Sequence, residues 1–568
     1  MDFVFTQTNI KGGFWKVVQD KNMNTAILSV YNRFYETGRI EGMNCNWKES
    51  MDEDKKPHIF WDSDVAKWIE GASYVLAKHD DCELEKKVES IIDSIEKNQR
   101  PDGYYNQYYL TLEPDNIFTV RENHELYCAG HLMEAAIAYY YATGKDRFLK
   151  IMERYADLIY KIFIEEKSAS FFTPGHEEIE IALLRMYKCT EKEKYLTLCK
   201  YFIDNRGCHN ETITAHPYNT YAQDNVPVRK LDKAEGHAVR ALYLYTSMAM
   251  LAKETKDKEL LAVCERIFKD VTERKMYITG GTGSTYMGER FTVSYDLPNE
   301  QAYSETCASI ALMFFAQKML EAENKGIYAD AVERAMYNGV LSGLSLDGKA
   351  FFYENPLEIN LMLRQRNDKT VDMDVEHFPI TQRVEVFLCS CCPPNINRVL
   401  SSIEQYIYHV NDGVYYVDQF MESTFKENGA AIMQSTEYPN NGKIKLDFAG
   451  IKKAAIRIPG WCEKFTVNCE YELKDGYIYV SSPQNIELDF EMKPTLYMSR
   501  PEVIDCENKV ALMYGPVVYC AEGIDNTNLP SLYVDKNLNA DILPYPETGL
   551  NKIIVNGYER TVPETLYS

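Results

Sequence analysis

The sequence predicts a mainly helical protein with a β-rich C-terminal part, an (α/α)6 toroid followed by a β-sandwich. Two observations predict it. From about residue 15 to about 405 apolar residues return every three to four positions, in a unit of helix, short charged turn and helix repeated at roughly fifty-residue spacing. After about Asn411-Asp412-Gly413 the apolar period changes to two, the mark of half-buried antiparallel strands.

Three stretches show the helical unit. Ala135, Ala136, Ile137, Tyr139 and Tyr140 run into Ala142-Thr143-Gly144-Lys145-Asp146, after which Phe148, Leu149 and Met152 restart the period. Ile181, Leu183, Leu184 and Met186 lead to Cys189-Thr190-Glu191-Lys192 and on to Tyr195 and Leu196; Leu242, Leu244 and Met248 lead to Glu254-Thr255-Lys256-Asp257 and on to Leu260 and Leu261. Stacked helical hairpins of this kind close into a ring whose loops gather at one mouth. The segments Arg100 to Tyr109 and Tyr277 to Arg290, rich in glycine and aromatic residues, suit that place. Further on, Ile444, Leu446 and Phe448 alternate with lysines and Asp447, Ile486, Leu488 and Phe490 alternate with acidic residues, and Tyr477 to Val480 and Val517 to Tyr519 read as strands. The expected domains are 1–410, the toroid; 411–520, the β-sandwich; and 521–568, a short tail with the look of a rudimentary second β module.

Composition narrows the function. The chain has 568 residues, 85 acidic against 62 basic side chains and a net charge of −23. That charge excludes nucleic acid and anionic membranes as expected partners, because phosphate contacts demand a basic surface. A neutral ligand or a cation fits better. Residues 1–7 lack the basic start and long apolar run of a secretory signal, and the 15 irregularly spaced cysteines suit reduced thiols, so a cytoplasmic protein is expected. The 42 tyrosines suit stacking on the C–H faces of sugars, as well as ordinary amphipathic packing at the edge of a core.

Chemistry concentrates in Cys391-Cys392-Pro393-Pro394-Asn395 and Glu305-Thr306-Cys307. Three thiols and a carboxylate can converge on one tetrahedral cation, and zinc accepts such a set. Cys389 extends the run to Cys-x-Cys-Cys, and spacing alone leaves open which thiols ligate. Two readings stand side by side on these residues: a zinc that only staples the fold, and a metal-tuned cysteine nucleophile facing a cleft.

Together with Phe60 to Trp68, His124 to His131, Pro174-Gly175-His176-Glu177-Glu178, Gly236-His237-Ala238-Val239-Arg240 and Gly288-Glu289-Arg290-Phe291, these segments closely resemble glycoside hydrolase family 127, the β-L-arabinofuranosidases, over nearly the whole length. The resemblance implies a zinc (Zn2+) held by Glu305, Cys307, Cys391 and Cys392, with Cys391 also the nucleophile and Glu289 the general acid/base. It assigns sugar contacts to His124, His176, His237 and Tyr353, with Glu333 as a supporting carboxylate. His131, one to two helical turns beyond His124, shares its face. A departure falls at Asn225, where a histidine is expected, and bears on substrate preference.

The implied reaction is retaining, exo-acting removal of terminal β-L-arabinofuranose, or a related furanoside, from a small oligosaccharide or glycoside. A homodimer is compatible with it. A thiol with a pKa of about 8.5 stays deprotonated beside a divalent cation, so Cys391 can attack the anomeric carbon while Glu289 protonates the leaving oxygen. Two other readings compete: a toroid glycosidase in which a carboxylate pair such as Glu289 and Glu333 does the work around a structural zinc, and a non-catalytic, zinc-stapled sugar-binding protein.

Overall fold

The computed structural model describes residues 7–209, 211, 220–361, 377–387, 390–526 and 529–560. By contact the chain divides into two units, one built mainly of Val18–Tyr406 and the other of Thr8–Val17 with the chain from Ile407 onward.

Twelve helices, among the described residues, make the frame of the first unit: α1 (Ile27–Glu36), α2 (Trp61–Leu76), α3 (Cys82–Asn98), α4 (Glu125–Thr143), α5 (Arg147–Tyr160), α6 (Ile179–Thr190), α7 (Glu193–Asn205), α8 (Ala238–Thr255), α9 (Lys258–Arg274), α10 (Thr306–Glu323), α11 (Gly326–Ala335) and α12 (Cys392–Ser401). The even-numbered helices touch in cyclic order, α2, α4, α6, α8, α10, α12 and back to α2, while each odd-numbered helix packs outside them. This is a closed (α/α)6 toroid.

Burial follows from sequence. In α3 the apolar stripe Leu84, Val88, Ile91, Ile92 and Ile95 is buried while Glu83, Lys86, Ser90 and Asp93 face water, as an outer helix requires. The inner helix α4 is buried without interruption from Glu125 to Tyr139, since it has neighbours on every side. Four inner helices end on a left-handed residue, Gly144, Glu191, Lys256 or Asn324, which stops the helix and turns the chain straight into its outer partner. Each hairpin is therefore antiparallel, and the inner helices all run the same way. Their N-termini share one mouth.

Two glycines let the ring close. A Cβ on Gly71 of α2 would lie 3.1 Å from the backbone nitrogen of Arg398 in α12, and one on Gly130 of α4 would lie 2.9 Å from both the Glu178 side chain and the Ile179 Cα at the start of α6. The axis is crossed by charged side chains rather than methyl groups. Arg398 donates from Nη1 to Glu70 of α2 (2.7 Å) and Glu134 of α4 (2.9 Å), and from Nη2 to the Tyr243 hydroxyl of α8 (3.0 Å); its guanidinium lies 5.1 Å from the ring of Phe314 in α10. Arg185 of α6 binds the same two carboxylates and the Tyr74 hydroxyl. Two guanidinium groups thus tie all six inner helices.

In the second unit two sheets face each other. One is ordered Thr8–Ile10, Ser423–Glu427, Ala430–Thr436, Lys443–Ala449, Asn485–Phe490, Phe465–Val467, and the other Glu472–Lys474, Tyr477–Ser481, Lys453–Arg457, Val414–Val417, Tyr408–Asn411. Tyr408 of the second sheet packs 5.5 Å from Phe425 of the first and shares a 2.9 Å hydrogen bond with Ser423. Strict alternation of buried and exposed residues in Asn485–Phe490 explains the period of two. A three-stranded sheet (Thr495–Tyr497, Ala511–Tyr514, Val517–Tyr519) and two strand pairs, Leu532–Val534 with Gly557–Glu559 and Ala540–Tyr545 with Leu550–Val555, follow. No described helix is long and apolar enough to cross a membrane.

The Gly130 contact yields a test of the ring. Gly130→Ala forces α4 away from the backbone of α6 and is expected to lower stability by about 1–3 kcal/mol, read as a reduced urea midpoint, although alanine is the better helix former by about 1 kcal/mol.

Candidate active site

Five inner helices deliver the candidate residues from their first turns: His124 precedes α4, His176 and Glu178 precede α6, His237 caps α8, Glu305 precedes α10 and Cys391 precedes α12. Because these N-termini share one mouth, residues far apart in sequence meet. His124 and His176 have ring centroids 5.5 Å apart, and His176 and His237 5.8 Å.

Glu305, Cys307, Cys391 and Cys392 offer ligand atoms that all lie within 4.8 Å of one another. The Cys307 sulfur is 3.4 Å from that of Cys391 and 3.3 Å from that of Cys392, the two adjacent sulfurs are 3.8 Å apart, and Glu305 Oε1 is 3.4 Å from Cys391 and 3.7 Å from Cys392. Such a set can hold a metal ion. Glu305 Oε2 is buried with no hydrogen-bond partner among the described residues, which suits a carboxylate meant for a cation. Cys389 lies outside the described residues.

The electrostatics point the same way. Hydrogen bonding to Cys307 pushes the Cys391 thiol well above its ordinary value, and burial does the same to Cys392; Cys307, against its own burial, is brought down to about 6 by hydrogen bonds from both. Of the three, Cys307 is the sulfur that ionises most readily. Burial, helped by Cys391 and Glu289, also drives Glu305 well above the carboxylate range. A cation reverses this and favours the ionised form of every ligand.

Glu289 sits in the turn Tyr286 to Glu289, closed by the Glu289 N–H on the Tyr286 carbonyl (3.2 Å). The turn is fixed to the rim of the barrel, where Gly236–His237 pairs with Arg290–Phe291 and the Ala238 N–H donates to the Glu289 carbonyl (2.9 Å). His237 Nδ1 accepts from the Val239 N–H (3.2 Å), so its proton is on Nε2, which faces Glu289 Oε2 at 3.1 Å. Burial works to raise Glu289, but the His237 hydrogen bond and Arg240 hold it below the usual range. Burial, with Arg240 nearby, keeps His124 and His176 far below the ordinary imidazole value, and burial lowers His237 as well. All three are neutral at pH 7 and suited to hydroxyl groups. His124, Glu289 and Ser304 are held at positive φ (56°, 50° and 40°), backbone strain of the kind that gathers at sites.

The Tyr353 hydroxyl is 3.6 Å from the Cys391 sulfur, and its carbonyl accepts the Thr306 N–H (2.8 Å), which locks it to the start of α10. Glu333 is buried near the C-terminal end of the outer helix α11, the end that lies on the mouth side of an antiparallel hairpin. His131 is deeper: fully buried, it lies 3.3 Å from Glu178 and packs on Tyr127. Sequence reasoning did not single out Tyr127, Tyr221, Tyr303, Arg240 or Lys67. Tyr127 packs on both His124 and His176, Arg240 lies over the Tyr221 ring, Tyr303 packs on Tyr353, and the fully buried Lys67 sits 4.9 Å from the Tyr127 ring. Three of them, Lys67, Tyr127 and Arg240, stand one or two helical turns inside motifs already noted; a basic side chain in the first two turns of an inner helix is the signal that finds Lys67 and Arg240.

Comparison with known proteins shows the family. The sequence profile of the β-L-arabinofuranosidase GH127 catalytic domain matches residues 7–405, that of the GH127 middle domain residues 414–492 and that of the family's C-terminal domain residues 494–550. The chain is 36% identical over 516 residues to a non-reducing end β-L-arabinofuranosidase of Bifidobacterium longum, covering 84% of this chain and 77% of that one. Its fold is similar to the crystal structure of a GH127 β-L-arabinofuranosidase from Geobacillus stearothermophilus T6, with a TM-score of 0.88, 39% identity and coverage of 97% and 92%. A second solved GH127 β-arabinofuranosidase gives a TM-score of 0.86, 30% identity and coverage of 97% and 93%. The non-catalytic alternative falls with these matches: the chain is a glycoside hydrolase and belongs to glycoside hydrolase family 127.

Proposed function

We propose that the protein removes terminal β-L-arabinofuranose with retention of configuration, Cys391 acting as nucleophile and Glu289 as acid and base, with a zinc ion held by Glu305, Cys307, Cys391 and Cys392. One observation carries the reading. Of the three clustered thiols Cys307 and Cys392 are buried, and Cys391 alone is partly exposed, beside the Tyr353 hydroxyl. A staple has no need of an accessible sulfur.

The donor set fits zinc. Zn–S bonds of about 2.3 Å in a tetrahedron place sulfurs about 3.8 Å apart, and the three separations are 3.3, 3.4 and 3.8 Å. Bound there, the ion would keep the Cys391 sulfur deprotonated at neutral pH. His124, His176 and His237, as neutral imidazoles, orient the furanose hydroxyls. The Cys391 sulfur then forms a bond to the anomeric carbon as the glycosidic oxygen departs with the C–O electron pair and takes the Glu289 proton. Arrival of the sugar excludes water from Glu289, whose side chain is 32% exposed, and that desolvation favours the protonated form needed for this step. In the second half Glu289 takes a proton from water, the water oxygen bonds to the anomeric carbon, and the sulfur leaves with its electron pair.

Protein purified without added metal is expected to carry roughly one zinc per chain by elemental analysis; a metal-free, fully active preparation would remove the basis of the nucleophile's activation. Glu289→Gln should depress turnover of alkyl and sugar glycosides by roughly 10²–10⁴-fold while largely sparing the first step on a nitrophenyl glycoside, whose leaving group needs no proton. Equal losses on both substrates would make Glu289 a sugar-positioning residue instead. An arabinofuranosyl compound with a haloacetamide at the anomeric position should alkylate Cys391 alone, as mapped by mass spectrometry, and Cys391→Ser should abolish both labelling and turnover. Labelling of Glu289 or Glu333 would hand the chemistry to a carboxylate pair.

A further inference from the structure

We propose that Tyr286 and His377 form a leaving-group subsite, a stacking platform for the ring of the sugar residue that departs. The inference rests on Glu289 being the acid of the proposed reaction. A general acid must reach the glycosidic oxygen, so the departing group has to pass out of the pocket beside Glu289. Tyr286 opens the turn whose last residue is Glu289. Tyr286 is 40% exposed and stacks on the His377 ring, with centroids 4.6 Å apart and planes 23° from parallel.

The platform is built rather than accidental. His377 Nε2 pairs with Glu354 Oε2 at 2.7 Å, and Glu354 is buried, 7% exposed, with its other oxygen accepting from the Ile380 N–H (3.4 Å). Hydrogen bonding to Glu354 raises the His377 pKa, so the imidazole is the more cationic and the more strongly held against the Tyr286 ring. Glu354 is the neighbour of Tyr353, which touches the Cys391 sulfur. The same wall is knitted by the Asn355 N–H on the Tyr303 carbonyl (3.1 Å) and by Gln301 Nε2 on the His377 carbonyl (3.4 Å). On the other side a Cβ on Gly288 would touch Tyr221 at 3.4 Å, so the turn rests on a residue that packs on His237. The stack therefore joins the segment that carries the acid to the segment next to the proposed nucleophile, and Tyr286, 40% exposed and three residues from Glu289, leaves a ring face open to a second sugar. An aromatic face with a polar ring beside it suits a sugar, which offers C–H groups to one and hydroxyl groups to the other.

The test compares kcat/KM for a disaccharide with a terminal β-L-arabinofuranose and for the methyl glycoside of the same sugar, which has no second ring. Tyr286→Ala is expected to lower the disaccharide-to-methyl ratio about tenfold, His377→Ala to lower it in the same direction, and Tyr286→Phe, which keeps the ring, to preserve it. A ratio unchanged in both alanine variants, with the two substrates losing activity together or not at all, overturns the subsite, and so does a phenylalanine variant that behaves like alanine. Failure of the proposed function looks different: the parent protein would then cleave neither compound, or Glu289→Gln would lose activity equally on alkyl and nitrophenyl glycosides.

Discussion

Six helices that run the same way around a ring need something to tie them across the axis, and here two arginines do so, Arg398 buried and Arg185 partly exposed. Arg398 and Arg185 share the carboxylates of Glu70 and Glu134 and reach side chains of all six inner helices. A buried ion pair of this kind contributes little net stability compared with a well-packed apolar core, but removing one partner leaves an uncompensated charge that costs about 3–5 kcal/mol. Its contribution is geometrical: a guanidinium has five donors in a fixed plane, so it sets the rotation and height of each helix around the axis. Methyl groups would let neighbouring helices slide.

Fixing the inner helices fixes what stands on their first turns. A helix N-terminus carries roughly half a positive charge and unpaired N–H groups, and five such ends converge on a pocket that holds Glu289, Glu305 and three sulfurs. Anions gathered there are partly balanced by the scaffold before any cation binds. Lys67, buried nearly two turns into α2, and Arg240, near the start of α8, stand behind them. Burial lowers His124 and His176 most, Arg240 adds to it at both and Lys67 at His124, so one arrangement favours anionic sulfur and neutral imidazole together.

The architecture was legible because its signals are periodic. Helix, charged turn and helix appear in sequence as they stand in the fold, and Gly144, Glu191 and Lys256, whose left-handed backbone the sequence does not announce, lie inside those turns. The strand Thr8–Ile10 was not legible, since three residues carry no period and its partner, Ser423–Glu427, lies about four hundred positions away. Within the site, Glu305, Cys307, Cys391 and Cys392 stand out by residue type, and the structure draws them into one cluster. Tyr221, Tyr303 and His377 gave no signal, because tyrosine is abundant here and their place depends on which loops meet at the rim. No spacing in the chain records that Glu354 lies beside His377.

The two prolines after Cys392 have an effect beyond starting a helix. A helix N-terminus normally greets an anion with several N–H donors, but Pro393 and Pro394 occupy two of the positions that would supply them and carry none. The Cys391 sulfur therefore meets few amide donors from α12, and its partners are side chains: the sulfurs of Cys307 and Cys392, the Tyr353 hydroxyl and Glu305. For the thiolate of the proposed reaction, fewer amide donors would leave the sulfur lone pair more available, where a ring of amides would stabilise the anion and make it inert. Seen so, Cys-Cys-Pro-Pro is a helix start stripped of its own solvent.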